Sequence, residues 1–272
     1  MTVIPRSPQG QAQAPRTQPF GAEAFAPQQG TTIRWLGGAG ALINSRGTTL
    51  MIDPVLEGFD MPLLADAPIR AGEVPRLDAV LLTHCDNDHF SRDTCRRLGP
   101  VCGGFHAPHY VAGLAAELGL PATGHDIGGG FNVGPVHAKL TPAAHAWQNQ
   151  SPKHKTREFL MEDYCGFWLD TPDGSIWAVG DSRLMPCQLE MPRPDAMLFD
   201  FSDSSWHIGL DGAEKLAAAY PDTPLILWHW GCVDAPKMKE FNGDPEVLAG
   251  RIVNPERIVG LAPGQPWTLR RL

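Results

Sequence analysis

The chain has no run approaching 18 consecutive apolar residues, so no stretch of it reads as a membrane-spanning helix. Its first twenty residues, MTVIPRSPQGQAQAPRTQPF, contain no apolar segment of the kind a secretory signal needs. Basic excess is also missing. There are 22 Lys and Arg against 30 Asp and Glu, a formal net charge of −8, which repels phosphate backbones and anionic lipid. Nucleic acid is therefore not an expected partner. No CxxC pair occurs. The six cysteines (Cys85, Cys95, Cys102, Cys165, Cys187 and Cys232) read as free thiols in a reducing compartment, and the cytoplasm is the expected location. No internal repeat is visible. What remains is a chain of 272 residues, 43% hydrophobic and 19% charged, able to bury a large core as one α/β domain.

Residues 1–30 are rich in Pro, Gln, Ala and Gly and show neither a 3.6 nor a 2 period, so they read as an extended or disordered N-terminal arm. Two forms are open: a solvated tail, or an arm strapped over the body or over a neighbouring subunit of a homo-oligomer, anchored by Phe20 and Phe25. The body runs from 31 to 272. TTIRWL, ALINS and TTLMID are short strand-like runs separated by glycine turns. DAVLLTH is a further strand, apolar enough to be buried on both faces. FSRDTCRRL and HYVAGLAAELG read as helices, the second stopped by Gly119. VHAKLTP, CGFWLDT, SIWAVGD, DAMLFDF and PLILWHW form a second set of strands. Between the last two, DGAEKLAAAY reads as a helix with Asp211 as N-cap and Glu214 completing a capping box.

The densest chemical signal is Thr83-His84-Cys85-Asp86-Asn87-Asp88-His89. Four candidate ligands fall within six residues, directly after a buried strand. A tight loop at a strand end can bring such side chains to one point, and mixed imidazole and carboxylate donors suit divalent Zn, Mn or Fe. Cys85, lying between ligand positions, is expected to point away. Three later strand ends carry further ligand types: His145 after VHAKLTPAA, Asp181 after SIWAVG and His229 after PLILW. A residue at a strand C-terminal end can face a shared crevice while the strand holds it rigidly. Taken singly, each of the three is an ordinary strand-end residue, and their order relative to the first cluster is what singles them out.

That order, His-x-Asp-x-Asp-His followed by His, Gly-Asp and His, resembles the metallo-β-lactamase superfamily, whose motif reads His-x-His-x-Asp-His. The chain departs from it at Asp86. The similarity runs from about Thr31 to Leu269 and includes WLGGAGALI, LMIDP and NPERIVGLAPGQPWTL. Within the superfamily, THCDNDHF is similar to the motif loop of L-ascorbate-6-phosphate lactonases. TPAAHAW, LDTPDGSIWAVGDSRL, WHIGLDGAEKL and LWHWG look like N-acylphosphatidylethanolamine-hydrolysing phospholipases D. The resemblance implies an α/β fold built as a four-layer αββα sandwich. It also implies two divalent metal ions, the first on His84, Asp86 and His145, the second on Asp88, His89 and His229, with Asp181 bridging them. A hydroxide shared by the metals would be the nucleophile. His207, at the place of an active-site histidine in the related phospholipases, would contact substrate or protonate the leaving group. Asp203 and Trp206 could line the same pocket, and Asp53 would order the motif loop.

The remaining residues have bland readings. His106, His109, His125, His137 and His154 match no motif position. Lys153, His154, Lys155 and Arg157 form a basic run that is either a solvated loop or a hold for an anionic group. Trp228 and Trp230 flank His229 and should point away from it, into the core. The leading functional reading is a metal-dependent hydrolase of a phosphodiester, lactone or related small-molecule ester. One alternative is a di-iron redox or oxygen-handling protein, since some diiron members carry a carboxylate where Asp86 stands, although those flavodiiron proteins have a flavodoxin-like domain that does not follow here. Another is a non-catalytic metal-binding or partner-binding protein, if Asp86 fails to hold the first metal.

Overall fold

The computed structural model describes residues 4–155 and 157–272. In chain order the strands are β1 (Thr31–Gly37), β2 (Gly40–Ser45), β3 (Thr48–Ile52), β4 (Ala79–Leu81), β5 (Phe105–Pro108), β6 (Ala122–His125), β7 (Gly130–Val133), β8 (Val136–Pro142), β9 (Cys165–Thr171), β10 (Gly174–Ala178), β11 (Ala196–Phe199), β12 (Leu225–Leu227), β13 (Ile258–Val259) and β14 (Pro266–Thr268). The helices are α1 (Arg92–Leu98), α2 (His109–Glu117), α3 (Gly209–Ala219) and α4 (Pro245–Ala249). The strands form two seven-stranded sheets, ordered β14-β1-β2-β3-β4-β5-β6 and β13-β12-β11-β10-β9-β8-β7.

Side-chain alternation builds the layers. Ala41 and Ile43 of β2, Leu50 and Ile52 of β3, and Ala79 and Leu81 of β4 pack into the core shared with the second sheet. The residues between them, Leu42, Met51 and Val80, pack into a second core with α1 and α2. Ala213, Leu216 and Ala217 place α3 on the other side of the second sheet. The result is the αββα sandwich. β3 to β6 run parallel, with α1 and α2 in the last two crossovers, and β10 to β13 run parallel, with α3 and α4 as crossovers. Parallel strands reached through such crossovers present their C-terminal ends along one edge, where a crevice forms. Among the described residues no helix is long and apolar enough to cross a membrane.

Two sequence expectations about local structure change. The helix over DGAEKLAAAY begins earlier, at Gly209, whose φ of +65° suits a residue without Cβ. Asp211 is not its cap, and Glu214 completes no capping box. Both carboxylates instead accept hydrogen bonds from Arg251, so a partner 40 residues away captures the groups that a local motif would have used. The strand read in PLILWHW ends at Leu227. Trp228 and Trp230 do enter the core, but His229 is turned from it by a left-handed φ of +61° rather than by strand alternation. Trp230 stacks on Trp35 of the facing sheet at 5.9 Å.

Residues 1–3 of the N-terminal arm lie outside the described residues. From Ile4 onward the arm lies along the body. Ala12, Ala14, Ala24 and Phe25 are buried, and the Phe20 and Phe25 rings sit 6.2 Å apart. The Ala14 amide donates to the Gly231 carbonyl at 2.9 Å, and the Gln11 side chain donates to the Val233 carbonyl at 2.7 Å. The arm therefore braces the segment that follows His229.

Candidate metal centre

The motif loop leaves β4 at Thr83 and is anchored from beneath by Asp53. This carboxylate accepts from the Thr83 amide at 2.8 Å and the Thr83 hydroxyl at 2.5 Å, and lies 2.8 Å from His89 Nδ1. Asp53 is fully buried with φ +41°, a conformation uncommon for a residue with a side chain. The loop then turns on itself, with the His89 and Phe90 amides both donating to the Asp86 carbonyl, before Ser91 caps α1. Four further segments arrive at the same edge. His145 follows β8, Asp181 follows β10, His207 precedes α3 and His229 follows β12.

Among the described residues these side chains form five overlapping groups compact enough to hold a metal ion, and two of them are the candidate sets expected from the sequence. His84, Asp86 and His145 form one and Asp88, His89 and His229 the other, each with its ligand atoms within 4.8 Å of one another. In the first, Asp86 Oδ2 lies 3.3 Å from His84 Nε2 and 3.5 Å from His145 Nε2. In the second, Asp88 Oδ2 lies 3.2 Å from His229 Nε2 and 3.7 Å from His89 Nε2. Donors roughly 2.0–2.2 Å from one tetrahedral cation stand about 3.4 Å apart, so these are the spacings of coordination edges. Asp181 sits between the sets. Its Oδ2 is 3.1 Å from His89 Nε2, 3.6 Å from His229 Nε2 and 3.9 Å from His145 Nε2.

The imidazoles are oriented from behind. His145 Nδ1 donates to the Trp206 carbonyl at 2.8 Å and His229 Nδ1 to the Glu240 carbonyl at 3.1 Å. Thr83 Oγ1 lies 2.9 Å from His84 Nδ1. Each ring thus turns Nε2 inward, the arrangement that metal-ligating histidines use. A cation fits this set on two further grounds. His84 Nε2 and Asp181 Oδ1 are buried without a hydrogen-bond partner among the described residues, and such orphaned atoms are rare unless something else satisfies them. The cluster also gathers buried Asp53, Asp181 and Asp200 with half-buried Asp86 and Asp88, a concentration of negative charge that needs compensation.

Within the protein's own charges, burial alone would raise the Asp181 carboxyl, but His229, His89 and His207 outweigh it and hold it well below its ordinary value. Asp86 behaves likewise beside His84 and His145. Burial would depress His89, yet Asp181, Asp88 and Asp53 hold it well above the usual imidazole range. Burial also lowers His84, and neighbouring His89 lowers it further. Burial, with Asp86 adding, pushes the Cys85 thiol up to about 12. Cys85 belongs to none of the candidate ligand groups among the described residues, and its Sγ is 4.0 Å from Asp86 Oδ1.

His207 joins the centre as a fifth imidazole, with Nε2 3.5 Å from Asp181 Oδ2 and Nδ1 2.7 Å from Asp200 Oδ2. Asp200 was not singled out in the sequence. Yet it ends the apolar strand DAMLF just as Asp181 follows SIWAV, and that pattern could have marked it. Trp147, Gln148 and Tyr164 were also missed. Trp147 Nε1 donates to Asp86 Oδ2 at 2.7 Å, Gln148 Nε2 donates to Asp86 Oδ1 at 2.5 Å, and the Tyr164 hydroxyl donates to Gln148. Trp206 lines the cavity above the centre, whereas Asp203 is exposed and pairs with Lys239 at 3.1 Å. His106 and His125 pair with each other away from the centre, His109 pairs with Asp126 and His137 with Asn132. His154 and Lys153 reach the cavity wall, while Arg157 pairs with Asp163 at 2.6 Å.

Comparison with known proteins agrees with this geometry. The beta-lactamase superfamily domain model matches residues 48–230. A UPF0173 metal-dependent hydrolase from Carboxydothermus hydrogenoformans is 30% identical over 240 residues, covering 84% of this chain and 99% of the relative. Another from Herpetosiphon aurantiacus is 28% identical over 250 residues, covering 88% of this chain and 98% of the relative. The crystal structure of a possible metal-dependent hydrolase from Veillonella parvula superposes with a TM-score of 0.72 at 16% identity, over 89% of this chain and 100% of that one. A fold with helices outside two facing sheets, a histidine–aspartate cluster at their common edge and relatives matched over nearly their whole length lead to one assignment: the chain belongs to the beta-lactamase superfamily, within the UPF0173 metal-dependent hydrolases.

Proposed function

We propose that the chain hydrolyses a phosphodiester, lactone or related small-molecule ester at a binuclear centre. His84, Asp86 and His145 would hold one divalent ion, Asp88, His89 and His229 the other, and Asp181 would lie between them. The observation that carries this reading is the position of Asp181 Oδ2, within 3.1–3.9 Å of imidazole nitrogens from both sets. Two cations about 3.5–4 Å apart need such a shared carboxylate. Divalent ions held there would supply Lewis acidity, polarising a substrate oxygen and lowering the pKa of water.

The chain's own groups divide the remaining work. Asp86 brings a terminal carboxylate to the first set, a harder donor than imidazole, which favours Mn or Fe relative to Zn. The bonds from Trp147 and Gln148 hold that carboxylate in place while leaving a lone pair of Oδ2 facing His84 and His145. Asp88 anchors the second set beside His229 and faces the cavity. His207 is the proton donor. Burial pushes its pKa down, but Asp181 and Asp200 outweigh burial and place it at about 9. Asp200 accepts from Nδ1, so the transferable proton sits on Nε2, facing the centre. A cavity of about 690 Å³, with Asp86, Asp88, His145, Asp181 and His207 in its wall, gives a small molecule access. With six free cysteines and an acidic surface, we place this chemistry in the cytoplasm.

Protein purified without added metal should contain Zn, Mn or Fe. It should turn over members of phosphodiester and lactone panels and lose turnover on chelation. A protein that carries metal but leaves both panels untouched contradicts the ester reading.

A further inference from the structure

Beside the catalytic cavity lies a second, narrower pocket of about 290 Å³. Its volume is near the lower end of small-ligand sites. The two spaces share Phe59, Asp88 and Phe241 and are otherwise lined differently. Phe59 and Phe241 meet edge to face at 6.4 Å, and the Phe241 ring also stacks on the His229 imidazole at 5.5 Å. The aromatic pair therefore lies on the border of the two spaces, and Asp88 and His229 of the second ligand set reach the pocket wall itself.

The two spaces are lined by similar proportions of apolar surface and differ in their basic side chains. The pocket wall carries Leu36, Val55, Leu56, Leu63 and Val233, and its acidic members are Glu57, Asp66 and Asp88, with no Lys or Arg. His229 is the one imidazole in that wall, at the end shared with the second ligand set, so away from that end an anionic occupant would find carboxylates and no cationic partner. The larger cavity carries Arg92 and Lys153. The pocket is also held open by backbone pairing. Leu63 forms an antiparallel bridge with Val233, and the Leu64 amide donates to the Cys232 carbonyl at 2.8 Å. Leu63, one of the lining residues, is 53% exposed.

We infer that this pocket receives an uncharged apolar group of the substrate, while the polar remainder of the same molecule lies over the ligand sets in the larger cavity. The substrate class narrows to esters with an apolar arm extending past Phe59 and Phe241. This inference rests on the hydrolytic reading above, but its test does not need turnover.

The test uses the full-length, metal-loaded protein and n-butanol, n-pentanol and n-hexanol as probes, with binding followed by calorimetry or ligand-observed NMR. Burial of each added methylene should tighten Kd by about fourfold. Ala65→Trp, which fills the pocket, should weaken hexanol at least tenfold. Leu63→Asp, a change at a largely exposed position, should weaken it severalfold, and near-ultraviolet circular dichroism checks that both variants are folded. Hexanol should also raise KM, with kcat unchanged, for whichever ester the protein hydrolyses. A Kd that is flat across the series, one that ignores both variants, or hexanol that binds without raising KM would each overturn the proposal. If no ester is turned over, the hydrolytic reading fails, while the alkanol series still decides whether the pocket accepts apolar groups.

Discussion

The two ligand sets are built alike in composition and differently in support. The set of His84, Asp86 and His145 is steadied from one side by side chains that hydrogen-bond in sequence, Tyr164 to Gln148 to Asp86, with Trp147 alongside. The set of Asp88, His89 and His229 is steadied by the framework. Asp53 clamps His89 from a left-handed backbone position, and His229 occupies another, its amide donating to the Gly38 carbonyl at 2.7 Å. Just beyond it, a Cβ at Gly231 would stand 2.5 Å from the Ala14 nitrogen, so the arm closes tightly over this segment. Strained backbone persists only where its surroundings over-determine it. The second set should therefore be the rigid half of the centre, and the first the half whose geometry follows side-chain rotamers.

Asp181 belongs to both halves, so its loss should have the largest effect. Asp181→Asn should cut turnover by more than about 100-fold and lower occupancy of both sites, because an amide cannot neutralise two cations. Plasma mass spectrometry beside kinetics on one preparation checks this, and near-normal turnover by a folded variant would refute the shared-ligand geometry. His207→Ala should lower kcat by about 10²–10⁴-fold while metal content holds, as expected for a proton donor outside both sets. Loss of metal in that variant would make His207 a ligand instead.

The contrast in support is tested directly by a pair of changes. Asp53→Asn should weaken the second site by about 10–100-fold through His89, weaken the first site less through Thr83 and His84, and also lower thermal stability. Gln148→Leu should weaken only the first site, nearer tenfold, and lower Tm by a few degrees because it leaves the buried Tyr164 hydroxyl unpaired. Equal effects of the two variants on both sites, read by metal titration, would erase the distinction. The smallest effect lies outside the centre. Burial, then neighbouring His125, depresses His106 to about 4, so the folded protein prefers it neutral. Its contribution to stability is complete above the free imidazole value near 6.5, and is lost as pH falls from there through about 4. The Tm of wild type should fall more steeply than that of His106→Gln as pH drops through that window and run parallel to it above about 6.5, and His106→Gln should not alter metal content.

Residues adjacent in the chain were the easiest to read. Four ligands packed into Thr83–His89 announce a site because a single loop delivers them. The layer order was implied by the family resemblance alone, since Ala41–Ile43, Leu50–Ile52 and Ala79–Leu81 are apolar at every position and only the fold shows that Leu42, Met51 and Val80 face the helices. His145, Asp181 and His229 gained meaning only from their order along the chain. Asp200 escaped notice although its strand-end position was visible. Trp147 and Gln148 could not be read, because their contacts with Asp86 span more than 60 residues and depend on how the segment after His145 folds back. The misread cap at Asp211 has the same origin: Arg251, distant in sequence, outcompeted a local motif. Long-range partners of polar side chains are what one-dimensional patterns lack.

The most direct test of the proposed binuclear centre is an anomalous-scattering map of crystals grown with excess Mn or Fe. The account predicts two peaks about 3.5–4 Å apart on either side of Asp181, one within about 2.0–2.2 Å of an Asp86 oxygen. A single peak beside His89, with Asp86 held only by Trp147 and Gln148, would contradict it.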